Sequence, residues 1–259
     1  MFDQHPHCIY RNNQITQVVC QFRFPKILSI QANLPVDFQE AIRGRFPQFS
    51  SRKELPPQQP TLIETLSGIK PEPITNYQFT SEDGAWRINL TGSFISLSTT
   101  HYHSWEEFAQ RLDTPLAAFF NLYKPAYFER LGIRYVNAIS RKQLGLEGTT
   151  FSQLIKPCYL GPMSEADVKE NAVLKNSIDT LMTIPGGRVK IHAGPGLVRV
   201  NGKSDPEVKF IFDQDLYLQG NIPLNTSLGT LDTLHAQAYN IFRNAITDQL
   251  HQSMEPEAR

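Results

Sequence analysis

Hydrophobic and polar positions alternate most regularly over residues 128–140, where Leu131, Ile133, Tyr135 and Ile139 interleave with Arg130, Arg134 and Ala138. Side chains of a strand point to opposite faces in turn, so this pattern predicts a strand with one buried face. The same alternation places Val18, Cys20, Phe22 and Phe24 on one face of a strand over 15–24, ended by Pro25. Helical spacing of Leu34, Phe38, Ala41, Ile42 and Phe46 predicts a helix over 34–46, with Pro35 tolerated in its first turn. Ser50, Ser51, Pro56, Pro57 and Pro60 mark 49–60 as an exposed loop. Strands are expected around 61–66, 76–80, 86–91 and 94–99, with Asp83-Gly84 and Gly92-Ser93 as the hairpin turns. Ser104 to Glu107 has the form of a capping box and opens a helix striped by Trp105, Phe108, Leu112, Leu116, Phe119, Phe120 and Tyr123. Pro115 is expected to bend or divide that helix before Pro125 stops it.

After the 128–140 strand the order repeats. A short helix is expected over 150–155, then strands over 174–184, 188–193, 197–201 and 207–218. Pro185-Gly186-Gly187, Gly194-Pro195-Gly196 and Asn201-Gly202 divide them. Leu231, Leu234, Ala238, Ile241, Phe242, Ala245 and Leu250 make one stripe of a long helix over 228–250. Residues 1–13 read as a poorly ordered lead-in and 254–259 as a frayed tail. The implied class is α+β: two β-α-β-β-β-β-α units, 1–126 and 127–259, packed as one body, each an antiparallel sheet covered by its long helix. In element order, though not in sequence, this resembles the saddle of the TATA-box-binding protein. The alternative is a single helix-grip sheet closed on a C-terminal helix.

The chain has 259 residues, 40% of them hydrophobic, enough for a substantial core. Its 25 basic and 25 acidic side chains cancel, so bulk charge supplies no drive toward nucleic acid or an anionic membrane. Cys8, Cys20 and Cys158 are odd in number and lack CxxC spacing, which supports neither a disulfide framework nor a thiolate zinc site. No basic segment precedes an apolar run at the start, and no window reaches membrane-spanning length, so the expected location is cytoplasmic, with no membrane partner.

Candidate chemistry is sparse. No GxSxG elbow occurs, and the glycine pairs lead into strands rather than helix N-termini. His5, His7 and Cys8, and the His101, His103 pair, are better read as loop residues than as ligands, because a closed metal site needs four ligands on ordered backbone. Glu106 and Glu107 suit a first helical turn, and Asp213 and Asp215, flanking Gln214, are expected to be solvated. No catalytic residue, metal or cofactor is assigned. What remains is a polar sheet face. Inward Trp86, Ile88 and Leu90 turn Arg87, Asn89 and Thr91 outward, and inward Val189 and Ile191 do the same for Arg188, Lys190 and His192. With Arg134, Arg23, Arg199 and Lys209 this face is expected to be basic, as a binding surface or simply as a solvated one. Arg134 is either a two-point clamp for a carboxylate or phosphate, or one half of an ion pair tying the two units together.

Tyr10-Arg11-Asn12, the VVCQFRF run at 18–24, WEEF at 105–108, RLGIRYVN at 130–137 and the length together resemble a family of sporadically distributed bacterial proteins of about 250–260 residues. The resemblance implies a bacterial cytosolic protein. No reaction is assigned to that family, so it carries over no site residue. The function expected is a non-enzymatic binding or regulatory module, accessory or antitoxin-like, whose sheet face meets another protein, with nucleic acid as the alternative partner. The opposing expectation is a small-ligand binder or enzyme with a pocket between sheet and long helix, which requires buried polar groups converging there.

Overall fold

A computed structural model describes residues 2–55, 73–200 and 203–258, with the side chains of 199, 200, 203 and 204 left aside. Its strands are β1 (Cys8–Tyr10), β2 (Ile15–Arg23), β3 (Gln48–Glu54), β4 (Ile74–Thr80), β5 (Trp86–Leu90), β6 (Phe94–Thr99), β7 (Phe128–Ile139), β8 (Ile178–Ile184), β9 (Gly187–Val200), β10 (Lys203–Ile222) and β11 (Pro256–Ala258). The α-helices are α1 (Leu28–Ala32), α2 (Val36–Ile42), α3 (Trp105–Tyr123), α4 (Phe151–Leu154), α5 (Ser227–Ala245) and α6 (Asp248–Ser253). The protein is therefore α+β. Among the described residues nine strands form one antiparallel sheet in the order β3-β4-β5-β6-β2-β7-β10-β9-β8. β2 and β7 pair at its centre, with Cys20 opposite Ile133 and Val19 opposite Arg134.

The alternation read from the sequence sorts the sheet's two faces. Val18, Cys20, Phe22, Leu131, Ile133, Phe210, Phe212, Val189 and Ile191 are all at most 1% exposed. Helices cover this inner face: Phe38 of α2 meets Phe79 with ring centroids 5.4 Å apart, Phe119 of α3 meets Phe24 at 4.8 Å, and Phe242 of α5 meets Phe212 at 5.9 Å. Each large apolar side chain so buried contributes about 2 kcal/mol, so the helices and the sheet hold each other in place.

Several expectations are corrected. The 49–60 loop contains β3, a strand whose residues are nearly all exposed; as an edge strand it needs only backbone pairing to β4, and polar Ser50, Ser51, Arg52 and Lys53 satisfy that without any apolar signal. The strand expected around 61–66 and the Asn201-Gly202 turn lie outside the described residues. The 34–46 helix is shorter, as α2, and is preceded by α1. The strand expected from 174 begins at Ile178. Gly194-Pro195-Gly196 is no turn: β9 runs straight through it, with Pro195 opposite Phe210. The neighbouring β8 pairs only as far as Ala193, so the proline sits where one side of β9 has no ladder partner, the place a missing N–H is tolerated. A Cβ on Gly194 would lie 2.4 Å from the Asn176 carbonyl oxygen, so the close approach of that segment requires glycine.

Pro115 does not divide α3, and Ser104 Oγ caps that helix by accepting the Glu107 N–H at 3.3 Å. The last helix ends at Ala245, and Thr247 caps a separate α6. Within the described residues, neither the lead-in nor the segment after 254 is a loose tail. β1 pairs with β11, and the preceding residues are strapped to α5: His5 N–H donates to Asn240 Oδ1 at 3.1 Å, and Tyr239 donates its hydroxyl to the Pro6 carbonyl at 2.8 Å. Among the described residues no helix is long and apolar enough to cross a membrane.

Candidate functional site: an aromatic cavity between sheet and helix

On the inner face two strands break their apolar rhythm side by side. β7 turns Tyr135 and Asn137 inward, and β10 turns Gln214 inward, with Gln214 opposite Tyr135 and Phe212 opposite Asn137. All three are buried, at 4%, 3% and 2% exposure. Above them α5 contributes His235, Tyr239 and Phe242, the strap contributes His7, β1 contributes Cys8 and Tyr10, and the entry to α3 contributes Tyr102 and Trp105. These residues line a cavity of about 70 Å³ that is partly open to solvent. None of the described residues lining it is Asp, Glu, Lys or Arg.

The walls are braced by ring packing. The His235 ring stacks on Trp105 at 4.9 Å between centroids and 12° between planes, while Trp105 donates its indole N–H to Asp232 at 2.8 Å. Tyr102 meets Tyr135 edge-on at 5.6 Å, and His7 stacks on Tyr239 at 4.1 Å. On the floor, Gln14 is satisfied at both ends of its amide, donating to the Asn12 carbonyl at 3.0 Å and accepting from the Ser140 N–H at 2.9 Å. Asn137 donates to the Phe212 carbonyl at 3.2 Å.

Two polar atoms are different. Among the described residues Gln214 Oε1 and His235 Nε2 are buried and find no hydrogen-bond partner. A buried polar atom without a partner costs roughly 1–3 kcal/mol, so such atoms are rare and call for a reason. His235 shares its other nitrogen, Nδ1, with the Tyr135 hydroxyl at 2.8 Å. Burial, and secondarily the nearby His7, hold the His235 pKa down to about 3, so the imidazole is neutral at physiological pH. Burial likewise pushes Tyr135 well above the ordinary tyrosine range, which keeps its hydroxyl protonated.

The residues singled out by sequence lie elsewhere. Arg23, Arg87, Asn89, Arg134, Arg188 and Lys190 sit on strands β2, β5, β7 and β9, at positions alternate to the buried ones. Arg199 is on β9, with its side chain outside those described. β5 and β9 are five strand spacings apart, about 24 Å, so these cations are spread across the outer face rather than gathered.

Nor is that face simply basic. Arg134 takes Asp213 in a two-point ion pair, Nε to Oδ1 at 2.7 Å and Nη2 to Oδ2 at 2.5 Å. Arg130 takes both oxygens of Asp215, at 2.7 and 2.8 Å, and His192 meets Asp179 at 3.0 Å. Asp213 and Asp215, expected to be solvated, are thus paired. The Arg134 bridge runs within 127–259, to β10, rather than between the two halves. Asn89 is partly buried, with its amide 3.4 Å from Ser96 Oγ. Arg134, Lys190, His192 and the three aspartates line a shallow cleft of about 300 Å³.

Sequence reasoning passed over Asn137, Gln214 and His235. The signal was present in the first two, since a polar residue at an inward position of an otherwise apolar strand is either an error or a site. No group of three or more His, Cys, Asp or Glu side chains placed to hold a metal ion occurs among the described residues. No protein-family model and no curated protein sequence matches this chain.

Proposed function

We propose that this protein binds a small, uncharged molecule in the cavity between β7, β10 and α5. One observation carries the reading: Gln214 Oε1 and His235 Nε2, each buried and unpartnered among the described residues, belong to residues lining a cavity whose walls include the rings of Tyr10, Tyr102, Trp105, Tyr239 and Phe242. A protein core gains nothing from leaving such atoms unpaired, whereas a binding site needs them to orient what enters. The test is to denature protein purified from its native cells and identify released small molecules by mass spectrometry. A neutral species at near-stoichiometric amount is the expected result. Protein that carries none, and whose melting temperature no neutral small molecule raises, would overturn the proposal.

A second reading keeps the outer sheet face as a docking surface of an accessory or antitoxin-like module, with a protein partner, or a nucleic acid through its phosphates. Its support is the exposure of Arg87, Arg188 and Lys190, and its weakness is the acidic side chains paired among them. Phosphate binding predicts affinity for random DNA or RNA that falls steeply with salt. Cytoplasmic location accompanies either reading.

The architecture we infer is a pseudo-duplication of 1–126 and 127–259, of the TATA-box-binding-protein type. Strand order supports it. β2 and β7, each the first strand of its half in the large sheet, pair with each other, and each also pairs with the last sheet strand of its own half, β6 and β10. A long helix follows each of those last strands. The position of α5 over β7 and β10 equally suits a single helix-grip sheet.

A further inference from the structure

The chemistry around the cavity narrows the ligand further, an inference that rests on the small-molecule reading above. Neutral His235 carries one ring proton. The Tyr135 hydroxyl lies 2.8 Å from Nδ1; where it donates there the imidazole proton is on Nε2, the unpartnered nitrogen, and where it accepts there Nε2 is bare. In the first arrangement that nitrogen is a donor, and Gln214 Oε1 is an acceptor. The two side chains come from sheet and helix.

With that tautomer, a ligand that satisfies both presents an acceptor, such as a carbonyl oxygen, to His235 and a donor, such as an N–H, to Gln214. An ionised ligand is disfavoured, because among the described residues no Asp, Glu, Lys or Arg lines the cavity to compensate its charge out of water. The remaining walls, Trp105, Tyr102, Tyr10 and Phe242 among them, give flat apolar surface suited to a ring. The enclosed volume of about 70 Å³ is sized for an amide and the adjoining edge of a ring, with the rest of the molecule in the open mouth. We infer that the cavity recognises the carboxamide or lactam edge of an uncharged, planar molecule, read by Gln214 and His235.

Three probes of one shape separate the possibilities: benzamide, benzoate and toluene, titrated into the full-length protein at pH 7.5 by calorimetry, with Trp105 emission as a second signal. Benzamide is expected to bind about tenfold or more tighter than either of the others, the worth of one or two good hydrogen bonds. Gln214→Leu is expected to weaken benzamide about tenfold while leaving toluene unchanged. Benzoate or toluene binding as well as benzamide, or benzamide binding unaltered in Gln214→Leu, would overturn the amide reading and leave the cavity as a ligand site. If none of the three binds the wild-type protein, the amide reading falls, and the small-molecule reading is decided separately by the molecules released from protein purified from its native cells. The wild-type series decides the ligand class even if the variant folds poorly.

Discussion

Arg130 lies over the ring of Tyr217, 4.5 Å from its centroid, and reaches along the sheet to hold both carboxylate oxygens of Asp215. Its side chain is 18% exposed, against 48% for Arg134 in the neighbouring pair with Asp213. A shielded ion pair with a stacked guanidinium is worth more than an open one. Arg130→Ala is therefore expected to cost about 1–3 kcal/mol, and Arg134→Lys less than about 1 kcal/mol. Urea melts of the two variants test this, and the reverse order would show that Arg134 is the principal brace.

The path of Arg130 depends on Gly132. A Cβ there would lie 2.9 Å from both Arg130 Nη1 and the Leu216 carbonyl oxygen. The guanidinium can swing away, but the carbonyl belongs to the paired β10 backbone. Gly132→Ala should lower stability by about 1–3 kcal/mol, the usual range for overpacking. A melting temperature equal to wild type would mean that the β7–β10 spacing yields more easily than the geometry implies.

Gln214→Leu makes the opposite prediction. It replaces a buried amide whose oxygen has no partner with an apolar side chain of similar volume. The unliganded protein should gain about 1 kcal/mol or more of stability. A destabilised variant would show that the Gln214 amide is part of the packing and not held open for a ligand.

His235 makes stability depend on pH. Its folded-state pKa is about 3, below the ordinary 6.5. Between those values the unfolded chain binds the extra proton, so stability is fully present above pH 6.5 and is lost as pH falls toward 3. At pH 5 the loss is about 2 kcal/mol. His7, Tyr135 and, through Trp105, Asp232 are the groups nearest the ring, and none supplies a carboxylate in contact with it. Melts of wild type and His235→Phe from pH 8 to 5 should diverge, the variant losing less. Parallel curves would place the titration elsewhere, for instance on His251, whose pKa is also lowered by partial burial.

Truncation at Gly229 removes Leu231, Leu234, Ala238, Ile241, Phe242 and Ala245, none more than 7% exposed. At about 2 kcal/mol for each large side chain, the loss exceeds the net stability of a typical domain. No cooperative unfolding transition should remain by calorimetry. A truncated chain that still melts cooperatively would show that the sheet stands without α5.

What the sequence determined was what depends on neighbours in the chain. Period-two alternation located β2, β5, β6 and β7 to within a residue or two, and the Ser104 cap and apolar stripe located α3, because burial of one face leaves a local imprint. Tertiary structure decided everything that needed a distant partner. β3 exists because β4 offers it a ladder, and β1 because β11 closes on it from the far end of the chain. Arg134 meets Asp213, 79 positions away, because antiparallel register brings β10 beside β7. Tyr135 meets His235 across 100 positions for a different reason: α5 must bury its apolar stripe on those same strands. Alternation fixes the face of a side chain but not its partner; strand register and helix docking choose the partner, and so they assembled the cavity.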